Sequence, residues 1–205
     1  MKKSSIYLSI AFVLISTLCQ AQTIIGGTED QVTSPTEGVI NTDFVPETTM
    51  KQDLLQMLAN FMVYVKADFQ TISETNSIGE PLGYFKGENS GGSNEQGVRP
   101  NADLSMICAF LYKYGQGKVT LPAGVSWSDI NSMARKSLAY AYSTHKANKL
   151  KLTTGNNYWG SVSSTDNVWE SSLWAMSVAY SAFFQYDSLT IAQKQYVYAL
   201  VKAEC

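Results

Sequence analysis

Apolar residues recur at steps of three and four positions between residues 54 and 69, which is the spacing of one face of an α-helix. The positions are Leu54, Leu58, Phe61, Met62, Val65 and Phe69. The pattern predicts an amphipathic helix over residues 50–72. Thr49 and Gln52 have the spacing of a capping box, in which each side chain bonds a free backbone N–H at the start of a helix.

The same capping-box spacing occurs twice more. Ser126 with Asp129 predicts an amphipathic helix that ends near residue 148, and Thr190 with Gln193 predicts another that is still helical at residue 205.

Two other segments are apolar or small at almost every position. They are residues 103–114 and 168–186, and helices of this composition pack on several sides. A long loop rich in glycine or asparagine precedes each of them. The resulting order is all-α, with amphipathic and buried helices in alternation. This alternation is the repeat of an (α/α) toroid, in which the starts of the inner helices line one mouth.

The first 21 residues predict a removable export signal. Two lysines precede an apolar run over residues 6–18, which is shorter than the roughly 20 residues that span a bilayer. Small residues ending at Ala21 resemble a signal peptidase site, so we expect a mature protein that starts at Gln22 and is secreted, periplasmic or on the outer cell surface. The alternatives are a retained anchor and a lipid attached at Cys19.

Polar residues with several glycines and prolines occupy residues 22–47 and predict an extended or disordered arm. Residues 48–205 are then the helical domain. Its last predicted helix reaches residue 205 with no glycine, asparagine or proline to end it. We therefore expect this domain to be truncated at its C-terminus.

Composition narrows the partners and cofactors. The 15 basic and 17 acidic residues nearly balance, so the net charge favours neither nucleic acid nor an anionic membrane surface. Once the signal is removed, no stable membrane insertion is expected. The single histidine and three cysteines argue against a clustered metal site and a disulfide framework, so no cofactor is predicted. Aromatic residues at 12% of the chain are common where sugars are bound, and also in plain cores.

The loops before the two buried helices carry a family resemblance. The segments GENSGGSNEQGVRPNAD and NNYWGSVSSTDNVWESSLW resemble loops of secreted α/α-toroid polysaccharide-degrading proteins, the lyases and glycoside hydrolases of gut Bacteroidota. The resemblance runs over residues 51–205 and rests on helix order and loop texture. It implies a toroid that acts on polysaccharide or oligosaccharide. Such toroids have five to seven helical hairpins, whereas this sequence predicts about two and a half, so we expect a partial toroid or a small bundle of similar order.

Four polar residues lie at the start of the first buried helix. They are Glu95, Arg99, Asn101 and Asp103. We predict that Arg99 holds a sugar carboxylate through a two-pronged hydrogen bond and that Glu95 or Asp103 acts as acid or base. The structural alternative is that Asn101 caps the helix, Asp103 favours its positive end, and Glu95 pairs with Arg99 on the surface.

A second cluster precedes the other buried helix. Its members are Asn157, Tyr158, Trp159, Trp169 and Glu170. The aromatic rings are predicted to stack on sugar faces, and Glu170 is a candidate catalyst. Asn167 and Glu170 also have capping-box spacing, which gives Glu170 a structural role instead.

The third candidate is His145, the only histidine, beside Lys146 near the end of an amphipathic helix. Its imidazole can supply a base near neutral pH. A cation near a helix C-terminus is also favourable in itself, and we expect the end of an outer helix to lie far from the starts of the inner helices.

Two reactions fit these candidates. In a β-elimination, Tyr158 or His145 takes the proton beside a uronate carboxylate while Arg99 and Asn101 neutralise the developing charge. In a hydrolysis, two of the three acidic candidates flank the glycosidic bond. The non-catalytic alternatives are a glycan-binding protein and a structural helical repeat of the cell envelope. Any shared sugar cleft requires that Arg99 and Tyr158 lie on the same side of the molecule.

Overall fold

The computed structural model describes residues 49–85, 99–148, 150, 159–161 and 169–205, with the backbone alone at positions 49, 74, 99, 100, 169 and 170. The predicted signal and the arm over residues 22–47 lie outside the described residues. The described part is mostly helical, with 68% of it in helix and a small two-stranded sheet.

The elements follow one another in a simple order. The helices are α1 Thr49–Asp68, α2 Arg99–Gly115, α3 Trp127–Thr144, α4 Trp169–Phe184 and α5 Ile191–Glu204, and the strands are β1 Phe69–Thr75 and β2 Pro81–Phe85. A short 3₁₀ helix, Tyr186–Ser188, joins α4 to α5.

The helix predicted over residues 50–72 is wrong at its end, because α1 stops at Asp68 and an antiparallel hairpin follows. Phe69 pairs with Phe85 across the hairpin, with ring centroids 4.9 Å apart. The Oδ1 atom of Asn76 accepts the backbone N–H groups of Ile78 and Glu80, which fixes the turn by the side-chain mechanism usual for asparagine. An all-α fold is therefore too simple a description.

The helix starts agree better with the sequence. Both capping boxes, Ser126 with Asp129 and Thr190 with Gln193, are present with reciprocal bonds, and these predictions are confirmed. The side chain of Thr49 lies outside the described atoms, so the first capping pair stays a prediction.

Helices α2 and α4 pack side by side and run in the same direction. The Ser177 hydroxyl donates to Asp103 Oδ1 at 2.7 Å, and Ser105 bonds Ser181 farther along both helices. The Phe110 and Phe184 rings meet at 5.5 Å near the ends of both. Because the partner numbers rise together, the two helices are parallel.

Helices α3 and α5 return beside them in the opposite direction. Ser105 of α2 donates to the carbonyl of Ala134 in α3, and Ser171 at the start of α4 donates to Glu204 at the end of α5. The arrangement is a pair of helical hairpins, α2 with α3 and α4 with α5, with the parallel pair in contact.

Burial differs between the two parallel helices. All residues from Asn101 to Leu111 in α2 are buried, as the sequence predicts. Helix α4 buries Trp174 and Val178 but leaves Leu173 49% and Met176 37% exposed. The sequence predicts that α4 packs on several sides, and the structure shows one apolar face of this helix exposed. The five described helices support a mostly helical fold, and the toroid itself stays a proposal.

Candidate functional site

The starts of α2 and α4 lie at the same end of the molecule as the ends of α3 and α5. We call this region, defined by Arg99, Trp169, His145 and Glu204, the loop end. The chain re-enters the described part at Arg99 and at Trp169, and both points lie here because α2 and α4 are parallel. Trp159, the residue after Tyr158, also lies here through its pairing with His145.

His145 lies at the centre of the loop end, directly after the last residue of α3. Its Nε2 is 3.0 Å from Glu204 Oε1, and both side chains are buried, at 0% and 1% exposure. The expectation that the end of an outer helix lies far from the inner-helix starts is wrong here. Glu204 also accepts the Ser171 hydroxyl, and Ser171 is the third residue of α4.

The tautomer of His145 follows from its other nitrogen. Nδ1 is 3.1 Å from the backbone N of Ala147, and a backbone N–H can only donate. Nδ1 is therefore an acceptor without a proton, and Nε2 carries the proton that it donates to Glu204. Burial lowers the pKa of His145 below its ordinary value, and the neighbouring Glu204 opposes this only in part. The ring is accordingly neutral at neutral pH.

Residues 159–161 pass through this cluster. Trp159 pairs with His145 as an isolated bridge, with the Lys146 N–H donating to the Trp159 carbonyl at 2.8 Å. The Ser161 N–H donates to Glu204. Gly160 adopts a φ of +76°, and a Cβ there would lie 2.6 Å from Glu204 Oε1 and closer still to His145 Nε2. Only glycine fits this position.

Trp159 is buried at 2% exposure, and its ring edge packs on His145 with centroids 4.6 Å apart. Its Nε1–H donates to the carbonyl of Ala141 at 3.0 Å. A ring enclosed in this way offers no face to a sugar. The predicted stacking role of Trp159 is therefore replaced by a packing role.

Asn101 and Asp103 hold elements together. Asn101 is the third residue of α2, and its Oδ1 accepts the Phe85 N–H at 2.8 Å, which ties the hairpin to the helix. Asp103 accepts from Ser177 and so ties α2 to α4. Both side chains are buried. The structural alternative fits both residues, although Asn101 acts as a tether and not as the predicted cap.

The remaining candidates are only partly placed. Glu95, Asn157 and Tyr158 lie outside the described residues, and Arg99, Trp169 and Glu170 are placed by their backbone alone. The backbones of Arg99 and Glu170 are at the loop end, in the first turns of α2 and α4.

Two further observations concern the described residues alone. Among them, no three His, Cys, Asp or Glu side chains are grouped closely enough to hold a metal ion. None of the described helices combines the length and the apolar character that crossing a membrane requires.

Sequence reasoning missed Glu204, Ser171 and Gly160. The sequence could have pointed to Glu204, because an acidic residue in the last turn of a helix is disfavoured by the helix dipole and so suggests a partner elsewhere. No family model, curated protein or solved structure matches this chain.

Proposed function

We propose that this protein acts on a polysaccharide outside the cytoplasm and that the loop end is its sugar-binding face. One observation carries the proposal. Because α2 and α4 are parallel, the two segments rich in polar residues, 86–98 and 162–168, both rejoin the described chain at this end. The export signal predicted from the first 21 residues supports the location.

In this proposal the sugar is bound by candidate residues to which the preceding section gives no structural role. Arg99, in the first turn of α2, holds a sugar carboxylate by paired charge-assisted hydrogen bonds. Asn157, Tyr158 and Trp169 contact the sugar rings, where aromatic faces meet C–H groups. Trp159, which directly follows Tyr158 in the chain, has a structural role, because its ring packs on His145.

Hydrogen bonds within the protein reduce the number of candidate catalytic residues. His145 uses both ring nitrogens internally, and Asp103 bonds Ser177, so neither is available to a substrate in this arrangement. An elimination is then assigned to Tyr158 as the base. A hydrolysis is assigned to Glu95 and Glu170 as the two carboxylates.

The second candidate function is glycan binding without turnover. The observation that favours it is that His145 and Asp103, the two described candidates for acid or base chemistry, are buried and bonded within the protein.

The test is a panel of neutral and uronate-containing polysaccharides, with binding measured by calorimetry. Turnover is followed by the ultraviolet absorbance of unsaturated uronates and by released reducing ends. Absorbance identifies a lyase, reducing ends alone identify a hydrolase, and binding without either identifies the second candidate. Wild-type protein that binds no member of the panel refutes the proposal.

Variants connect the result to the loop end. Arg99→Ala is expected to weaken binding of acidic glycans selectively, by about tenfold or more if a charged hydrogen-bonded pair of 1.5–3 kcal/mol is lost. Tyr158→Phe is expected to abolish elimination while binding persists. The matched control is Tyr64→Phe, which makes the same change at a tyrosine 72% exposed on α1 and should alter neither.

A further inference from the structure

We propose that His145 and Glu204 form a pH-sensitive latch, which holds residues 159–161 against the start of α4 at neutral pH and releases them in mild acid. The inference does not depend on glycan binding, because its readouts are structural.

The closed latch joins three parts of the chain. Glu204, at the end of α5, accepts from His145, from the Ser161 N–H and from the Ser171 hydroxyl. Its two oxygens therefore face only donors, as suits an ionised carboxylate. The same carboxylate thus fixes the end of α3, the segment 159–161 and the first turn of α4.

Protonation conflicts with this geometry at Nδ1. In the neutral ring Nδ1 accepts the Ala147 N–H at 3.1 Å. An imidazolium carries a proton on both nitrogens, so its Nδ1–H would face the Ala147 N–H in a fully buried site. Two donors without an acceptor are unfavourable there, and the turn after α3 has to open.

Opening that turn disturbs residues 159–161 directly. The N–H of Lys146, the residue between His145 and Ala147, donates to the Trp159 carbonyl at 2.8 Å, and the Trp159 N–H donates to Thr144. These two bonds attach the segment to the end of α3. A rearranged turn therefore removes both the backbone pairing and the contact of the Trp159 ring with His145.

The charged groups near the ring act in opposite directions. Glu204 of α5 favours the imidazolium, whereas Lys146 of the same turn disfavours it. The contacts from Trp159 and from Gly160 are uncharged and close. Burial is the largest influence and lowers the pKa of His145, so the latch stays closed at neutral pH and opens below the ordinary histidine value of about 6.5.

The latch lies next in sequence to two of the proposed sugar contacts. Asn157 and Tyr158 directly precede Trp159 in the chain. On the proposed function, opening of the latch therefore changes the chain immediately beside two binding residues.

The experiment uses ¹⁵N-labelled full chain and nuclear magnetic resonance between pH 7.5 and pH 5. Because the chain has one histidine, long-range imidazole spectra report His145 without assignment. We expect the neutral tautomer protonated at Nε2 at pH 7.5. The Ser161 amide and the Trp159 indole signals should then shift or broaden with the same midpoint as the ring, below pH 6.5, while the Ser126 amide stays constant.

Two variants make the test decisive. His145→Gln keeps a donor toward Glu204 but does not titrate, so the Ser161 and Trp159 signals should lose their response to pH. Glu204→Gln removes the group that favours the imidazolium, so the midpoint should move to lower pH even if the first variant does not fold.

Three results would overturn the latch. These are a ring protonated at Nδ1 at pH 7.5, Ser161 and Trp159 signals that stay unchanged while His145 titrates, and a midpoint in Glu204→Gln that equals or exceeds the wild-type value.

Discussion

Gly160→Ala is expected to be among the most damaging single-methyl changes in the described chain. The added Cβ would lie 2.6 Å from Glu204 Oε1 and overlap His145 Nε2, and the backbone φ of +76° is itself unfavourable for alanine. A left-handed conformation costs a non-glycine residue about 1–2 kcal/mol. Separating the hydrogen-bonded His145 and Glu204 adds about 1.5–3 kcal/mol, because one partner is charged. The expected loss of folding free energy is therefore roughly 2.5–5 kcal/mol.

Gly117→Ala is the matched control, since Gly117 has a φ of +75° and open space where its Cβ would lie. It should lose only the conformational part, about 1–2 kcal/mol. Urea unfolding followed by circular dichroism, with free energies compared at equal slope, measures both. If the two variants lose the same stability, the packing of Gly160 against His145 and Glu204 is refuted.

The remaining predictions concern other regions. Burial raises the pKa of Cys108 to about 12. In protein without the export signal, a thiol reagent at pH 8 should therefore label the exposed Cys205 at once and Cys108 only in urea. Rapid labelling of the Cys205→Ser variant without urea would contradict this. Lys66 and Ser126 lower the pKa of Asp129, so stability from this carboxylate is present above the unfolded pKa of about 4 and is lost as the pH falls below it. Lys66→Met should therefore lower the unfolding free energy by less than about 1 kcal/mol at pH 7, as expected of a partly exposed pair, and by a smaller amount at pH 3, where the bond from Lys66 to the Gly124 carbonyl is still lost. An equal loss at both pH values would exclude the ion pair as its cause.

Much of the helical framework could be predicted because helix signals are local. Ser126 and Asp129 are three residues apart, as are Thr190 and Gln193, so one turn of chain contains the whole capping interaction. The buried character of α2 also follows from its own composition.

The β-hairpin could not be predicted in the same way. Phe69 continues the helical spacing of α1, but its partner is Phe85, and Gly83 allows the Phe69 ring to lie against the opposite strand. Strand pairing depends on residues outside the window in which helical periodicity is counted. The tertiary contact therefore outweighs the local pattern at residue 69.

The contacts at the loop end were still harder to predict from the sequence than the hairpin. His145 and Glu204 are 59 positions apart, and Glu204 and Ser171 are 33 apart, so no motif spacing connects them. Trp159 looks like a sugar-stacking residue by its neighbours in sequence, yet its indole N–H finds a carbonyl in α3. Whether an aromatic residue in a loop faces solvent or core depends on packing that the sequence does not display.

Glu204 occupies a position that is unfavourable in an isolated helix and becomes favourable through the pairing of α4 with α5. A carboxylate in the last turn of a helix opposes the negative end of that helix, so α5 alone would disfavour it. The antiparallel return of α5 beside α4 brings this carboxylate to the first turn of α4, where Ser171 donates to it and the positive end of the α4 dipole is nearest. The unfavourable position in one helix is thus favourable in the pair. Because Glu204 already supplies the anion at the start of α4, the proposed function leaves Arg99, in the first turn of α2, as the expected source of selectivity for an acidic sugar. Arg99→Ala is therefore the variant that we expect to separate acidic from neutral glycans best.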